Sequence, residues 1–374
     1  MAAGTAGEDR SVGQAPSSEE LIGRAASLVP LLRRNALEGE RLRRLPDENV
    51  RALEEAGLLR IALPVARGGY GADPAVLAKV MTSIASGCAA TAWVTMIYNS
   101  VAQLAELLPE AALAEIHADP HPKVAGVFGM TGAVVDPVDG GYRVRGGGRW
   151  PFNSGCHHAT WDLLRVGIAG PDGTTTPAFA AAPMAELTIE DDWHVMGAAA
   201  TGSHSVSCGE IFLPGHRVAP MAGSAKGALR SDLGVAQSVS LPLGMARHAL
   251  EAFLDLARSQ GHPHLGHARM AAAPAVQVAA TRAAVIVKLI EAYQYWAMTS
   301  GEASDPALAA ATQAGCVRLA REAIDTLFDA CPSSEIRLDR PIQRLARDIQ
   351  TFEHQHSFSP FVAFELYGRT LCQG

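Results

Sequence analysis

The chain has 374 residues, 48% of them apolar and 18% charged, which supplies large cores and is too apolar for a disordered protein. A formal charge of −7 excludes the net basic face that a nucleic-acid partner requires, and no apolar run approaches the ~20 residues of a membrane span. Six cysteines at 88, 156, 208, 316, 331 and 372, with no CxxC and no close pairs, suit a soluble protein of the reducing cytoplasm. Residues 1–16 are small and polar, without the apolar stretch of a signal peptide, and read as a disordered lead-in. Residues 17–122 carry helical periodicity. Ser17 and Glu20 form a capping box before Leu21, Ile22, Ala25, Leu28, Val29 and Leu32. Pro46 stands in the first turn of a short helix through Val50 and Leu53, which Gly57 ends in a left-handed cap. Asp73 and Pro74 make an N-cap and N1 pair ahead of Val76, Leu77, Val80, Met81 and Ile84, and the stretch from Thr91 to Leu108 reads the same way.

Texture changes over residues 123–222, where Gly, Pro, Thr and β-branched residues replace the long stripes. Tyr142 and Val144 sit between glycine pairs and Ile211, Phe212 and Leu213 precede Pro214, so short strands joined by turns are expected. Helical spacing returns over 223–374, through Leu243, Leu250 and Leu254, then Val276, Ala283, Val287 and Ile290, then Val317, Ala320, Ile324 and Leu327 behind an Asp305 and Pro306 cap. The fold class is therefore α+β, mainly α with a central β domain.

Several chemistries lack their motif. There is no GxxxxGK[ST], no GxGxxG after a strand, no GxSxG and no HExxH, which removes P-loop, Rossmann, α/β-hydrolase and zincin readings. The run Gly146, Gly147, Gly148 precedes a strand and cannot aim a helix N-terminus at a phosphate. His262, His264 and His267 have metal-ligand spacing but no nearby Cys or carboxylate, so a solvated connector is expected and no metal site. More informative is Gly148-Arg-Trp-Pro-Phe-Asn-Ser-Gly-Cys-His-His-Ala-Thr-Trp161, where two Trp, two His, Asn and Ser share one strand and turn. This composition suits the edge of a planar heteroaromatic cofactor, and equally suits plain β-domain core. A second segment, from Trp193 to Gly197 and through Thr201, Gly202, Ser203, His204 and Ser205, leaves the same choice between site and turn.

The order of helices, β segment with WHVMG and TGSHSV before a strand ending in Pro214, and helices again resembles the acyl-CoA dehydrogenase superfamily over nearly the whole chain. Within it, GRWPFNSGCHHATW is similar to the GxWxFxSGxxHxxW stretch of the flavin-dependent monooxygenase branch, the two-component hydroxylases of aromatic and polyketide substrates and the amino-sugar N-oxygenases. SGCAATAWV at 86–94, RLDRPIQRLARDIQ at 337–350 and the GRTL segment near the C-terminus resemble further stretches of that branch. The dehydrogenases' catalytic Glu in a YEGT-like segment has no counterpart, since Glu353 and Glu365 stand in unlike surroundings, and ARMAAAPAVQVAATR around Arg269 to Arg282 lacks their RxxFG-like motif for a tightly held FAD.

The resemblance implies an N-terminal helical domain, a middle β-barrel or sandwich and a C-terminal four-helix bundle, assembled as a homotetramer. It also implies a reduced-flavin-dependent monooxygenase that takes FMNH2 or FADH2 from a separate NAD(P)H:flavin reductase. Such an enzyme uses O2, through a flavin C4a-hydroperoxide, to oxygenate an aromatic, polyketide or amine substrate. Carried over by residue, Trp150, Asn153, Ser154 and Gly155 lie beside the isoalloxazine with Ser154 near N5, and Trp193, Thr201 and Ser203 lie on the flavin side of the β domain. In the monooxygenases a His follows an Arg-Asp pair; here Arg347 and Asp348 lead to His354 and His356 with Gln355 between them, so both are candidate bases, as are His157 and His158. Two readings stand beside this one, an acyl-CoA dehydrogenase-like desaturase needing a carboxylate base and a non-catalytic relative of the fold.

Overall fold

A computed structural model describes residues 16–127, 131–221, 231–261, 266–299 and 305–373. The expected lead-in, apart from residue 16, the expected boundary at 222/223, and His262 and His264 lie outside the described residues.

Helix α1 (Ser18–Leu42) opens on the expected capping box, with the Glu20 N–H donating to Ser17 Oγ at 3.2 Å and the Ser17 N–H to the Glu20 carboxylate at 2.6 Å. It stops at Arg43, which adopts a left-handed φ of 52°. Helix α2 (Asp47–Glu55) has Pro46 as its N-cap, one residue before the helical turn in which the spacing put it. Helix α3 (Pro74–Gly87) is capped by Asp73, whose carboxylate accepts the Ala75 N–H at 2.8 Å. Helices α4 (Ala89–Ala105) and α5 (Glu110–Ile116) complete the first helical set.

Ten strands follow among the described residues: β1 (Val124–Gly126), β2 (Ala133–Val138), β3 (Gly141–Val144), β4 (Gly148–Trp150), β5 (Trp161–Ala169), β6 (Thr175–Pro183), β7 (Thr188–Ile189), β8 (Val206–Cys208), β9 (Phe212–Pro214) and β10 (Val218–Pro220). The larger sheet runs β10-β6-β5-β2-β3-β9 with β1 added parallel to β5, and the smaller one runs β4-β8-β7. Strand β6 is buried on both faces. Phe179 and Ala181 join a cluster with Val101, Leu104 and Leu113 of α4 and α5, while Ala178, Ala180 and Ala182 face Val135, Trp150 and Leu164. Its run of alanines lets both layers approach closely, which explains a strand poor in β-branched residues.

The chain then returns to helix in α6 (Ser231–Ser259), α7 (Pro274–Thr299), α8 (Pro306–Asp329), α9 (Pro341–Glu353) and α10 (Pro360–Gln373). Asp305 caps α8 through the Ala307 N–H at 2.9 Å. Leu77, Met81 and Ile84 of α3 share one core with Met245 and Phe253 of α6, Val317 and Leu327 of α8, and Ile349 of α9, so the two helical regions are one packed body. Helices α3 and α6 approach so closely that a Cβ at Gly244 would stand 2.4 Å from the Cβ of Ala85.

Candidate active site

The turn after β4 is built from the inside out. Trp150 is core: its ring is 1% exposed and its indole N–H donates to the Arg165 carbonyl at 2.8 Å. Asn153 is fully buried; its backbone N–H donates to the His204 carbonyl at 3.0 Å and its amide to Asp162 at 2.5 Å. Both were expected beside a cofactor, and both point their side chains into the β domain, because the left-handed Phe152 between them resets the strand alternation. Between them Phe152 takes a left-handed φ of 64° and stands 67% exposed. Gly155 is obligatory, since its φ is 78° and a Cβ there would lie 2.8 Å from Tyr98 Oη, which donates to the Gly155 carbonyl at 2.6 Å.

Ser154, Ser203 and Thr201 are brought together as a buried hydroxyl chain. Trp93 Nε1 donates to Ser154 Oγ at 2.9 Å, Ser154 and Ser203 lie 2.7 Å apart, Ser203 and Thr201 lie 2.8 Å apart, and Thr201 donates to the Ala198 carbonyl at 2.8 Å. Each hydroxyl has one proton, so the last bond fixes all the others: Ser203 donates to Thr201, and Ser154 donates to Ser203. Ser154 therefore has no free proton and keeps one lone pair.

Trp193 flanks this turn, its ring edge-on to Phe152 with centroids 6.1 Å apart, and its indole N–H is buried without a partner. The Trp193 backbone N–H meets His204 Nδ1 at 3.3 Å, so His204 ties both segments of the motif together. The following residues are held by the Arg-Asp pair of α9. Arg347 donates to the Met196 carbonyl at 2.7 Å and pairs with Glu40 at 2.5 Å, while the Ala198 N–H donates to Asp348 at 2.6 Å. Burial pushes the Asp348 carboxyl up to about 6. Gly197 lies so close to α9 that a Cβ would meet the Arg347 carbonyl oxygen at 2.3 Å.

The C-terminal segment reaches the same place through aromatic packing. Phe352 and Phe358 lie 5.3 and 5.7 Å from the Trp93 ring, the indole whose N–H serves Ser154. Between them His354 and His356 are exposed. Glu353 is buried and paired with Arg318 at 3.0 Å and with Arg321. The other histidines face elsewhere. His158 Nε2 lies 2.9 Å from Asp47 and 3.2 Å from Arg44, at the junction of α1 and α2. His157 stacks edge-on with His204 at 4.9 Å, and burial first, then the charges of His204 and Arg44, pull it down to about 4.

Sequence reasoning missed Phe152 and Asp162 and gave Trp93 no role. Asp162 carried a signal, a carboxylate set between Trp161 and the apolar Leu163 and Leu164 of a strand. A cleft among Glu40, Cys88, His248, Arg344 and Asp348 has room for a water or two, about 20 Å³, and not for a flavin. Among the described residues there is no cluster able to hold a metal ion and no helix long and apolar enough to cross a membrane.

Helices around a central β domain, with this turn between them, define an acyl-CoA dehydrogenase-like fold. Residues 29–114 match the family model for the acyl-CoA dehydrogenase N-terminal domain and residues 236–360 that for the C-terminal domain. The chain is 30% identical to the flavin-dependent monooxygenase oxygenase subunit HsaA of Rhodococcus jostii, over 92% of this chain and 96% of that protein. It is 29% identical to the oxygenase component of the FADH2-dependent resorcinol hydroxylase of Rhizobium sp., over 88% of each. Among solved structures, XiaF from Streptomyces sp., in complex with FADH2 and glycerol, superposes with a TM-score of 0.79 at 27% identity over 96% of each chain. The chain belongs to the flavin-dependent monooxygenase branch of the acyl-CoA dehydrogenase superfamily and is an oxidoreductase.

Proposed function

We propose that the chain is the oxygenase component of a two-component system, taking reduced FMN or FAD from a separate NAD(P)H-dependent reductase and placing one oxygen atom from O2 on a phenolic substrate. The observation that carries this reading is the buried, unpartnered indole N–H of Trp193 beside the exposed ring of Phe152, at the mouth of the Ser154 hydroxyl chain. An exposed aromatic edge, one unsatisfied donor and one spare serine acceptor fit a reduced isoalloxazine, which carries both carbonyl acceptors and ring N–H donors. When bound, the reduced flavin supplies the electrons that activate O2. Ser154, with its spare lone pair, and Trp193, with its unpartnered N–H, would hold the flavin, and Thr201 and Ser203 hold Ser154 in place. Gly155 lets the turn lie against Tyr98, while Trp150 and Asn153 support it from below.

Trp93, Phe352 and Phe358 form a buried aromatic cluster under the segment that carries the exposed C-terminal histidines. His354 or His356, exposed at the end of α9, would be the group that takes the phenol proton. The relative named for resorcinol hydroxylation supports the phenolic class. A dehydrogenase reading lacks its base: Glu353 is held by two arginines, and Glu365 pairs with Arg369 on the exposed side of α10. Apolar stripes at Val278, Val285 and Leu289 of α7 and at Phe361, Phe364 and Leu371 of α10 remain exposed, supporting assembly of a homotetramer through the C-terminal helices. The test mixes the purified chain with chemically reduced FMN or FAD, O2 and a panel of phenols. Product heavier by one oxygen atom is expected, and oxygen uptake that yields only peroxide with every phenol would overturn the substrate class.

A further inference from the structure

Asp162 is the second residue of β5, fully buried, with Ala125 of β1 and Ala182 of β6 as its register neighbours. Its single hydrogen bond comes from the Asn153 amide. The remaining oxygens of the pair, Asp162 Oδ1 and Asn153 Oδ1, are both buried and both without a partner. As an ionised carboxylate and an amide, these are two acceptors with no donor, an arrangement that a folded interior rarely tolerates. One proton repairs both. On Asp162 Oδ1 it turns an acceptor into a donor, and Asn153 Oδ1 is the acceptor within the same pair.

Among the described residues, no charge compensates an ionised Asp162. The two neighbouring strands bring only alanines, the turn after Ser154 brings the Cys156 thiol, which burial pushes to about 12, and α4 brings the Tyr98 hydroxyl, raised well above its ordinary value by burial. Both stay neutral across the accessible pH range. We infer that Asp162 is kept as a neutral carboxylic acid, bonded twice to the Asn153 amide, and that this acid–amide pair is the positioning device that fixes the Phe152–Gly155 turn.

The inference rests on the reading of that turn as part of the flavin site. Asn153 stands between the left-handed Phe152 and the chain-ending Ser154, so any shift of Asn153 moves both. Ionisation would leave a buried charge facing an amide oxygen, and the turn would have to rotate or admit water. Burial pushes the Asp162 carboxyl up to about 7.

Three measurements test this on the full chain. First, the infrared spectrum at pH 6.5 should contain a protonated-carboxyl C=O stretch that Asp162→Asn removes and Asp348→Asn retains. Second, an acid whose folded pKa is raised stabilises the fold fully below its unfolded value near 3.9 and loses that contribution as pH rises towards 7. The Tm of wild type minus that of Asp162→Asn should therefore fall between pH 4 and 7 and then level. Third, affinity for dithionite-reduced FMN should weaken about threefold or more between pH 6.5 and 8.5 in wild type, as the neutral fraction drops, and stay flat in Asp162→Asn, whose amide restores both bonds. A merely structural aspartate would not move that profile.

Absence of the band, or an Asp162→Asn profile that falls in parallel with wild type, overturns the proposal. If Asp162→Asn fails to fold, the band in Asp348→Asn still decides it. Should reduced FMN bind at no pH, the flavin reading fails, while the band and the stability slope continue to decide the protonation of Asp162.

Discussion

The two histidine pairs of this chain sit in opposite circumstances. His157 and His158 follow the Ser154 turn directly, and both are engaged: His158 by Asp47 and Arg44, His157 by the ring of His204. His354 and His356 lie two hundred residues away in sequence, and both are exposed at the end of α9. Proximity in sequence to the motif thus selects histidines that fasten the β domain to α1 and α2. The available imidazoles come instead from a segment tied to the motif only through Trp93 and its contacts with Phe352 and Phe358.

The largest expected effect separates the pairs. The double substitution His354→Ala, His356→Ala should slow oxygen transfer by about 10²–10⁴-fold, the worth of a general base, and leave Tm within about 1 °C because both side chains are exposed. His158→Ala should do the reverse, lowering stability by about 1 kcal/mol through lost packing and a half-exposed pair, with coupled turnover kept within about twofold. Single-turnover product formation and thermal melts on the same preparations measure both. A double variant that hydroxylates normally would move the base to His157 or His158.

A smaller effect tests the link between the regions. Trp93→Phe keeps the aromatic contact with Phe352 and removes the N–H that Ser154 accepts, costing about 1 kcal/mol as a buried hydrogen bond is lost. Uncoupled oxygen use, read as peroxide per oxygen consumed, should rise several-fold. Ser154→Ala should uncouple more strongly, because it leaves the Trp93 N–H without an acceptor and the Ser203 oxygen without its donor, at about 1–3 kcal/mol. If Trp93→Phe uncouples as much as Ser154→Ala, the indole acts on the cofactor directly and not through the hydroxyl chain.

Helix starts and the order of regions were legible in the sequence because they rest on local chemistry. Ser17 with Glu20, Asp73 with Pro74, and Asp305 with Pro306 each satisfy N–H groups within one turn. The clustering of Ser154, Thr201 and Ser203 was legible only through resemblance, since nothing in their spacing predicts contacts across some fifty residues. What could not be read was direction. Trp150 and Asn153 belong to the motif yet point inward, and Phe152 points out, because a left-handed residue in the turn resets the alternation that a strand pattern would assume. The polarity of the hydroxyl chain was equally hidden, since it is set by one bond at its far end, from Thr201 to Ala198.

The smallest effect concerns acid. His157 is held down to about 4, first by burial and then by the neighbouring cationic groups, against about 6.5 for an unfolded chain. Between those values the unfolded chain binds a proton that the folded one does not, so stability rises with pH across this window and is lost as pH falls through it. His157→Gln cannot take up that proton, so the variant should overtake wild type in Tm at pH 4–5 and show a constant gap above pH 7. His157 is only partly buried, which screens the effect to the order of 1 °C in a chain of this size. His158, also lowered by burial, and His248, lowered to about 3, stay in both proteins and cancel in the difference. Parallel melting curves from pH 4 to 8 would show that the ring of His204 does not oppose the charge on His157. The first histidine pair would then be tied to the β domain by packing alone, while the second pair would keep its distinction as the exposed one, open to substrate.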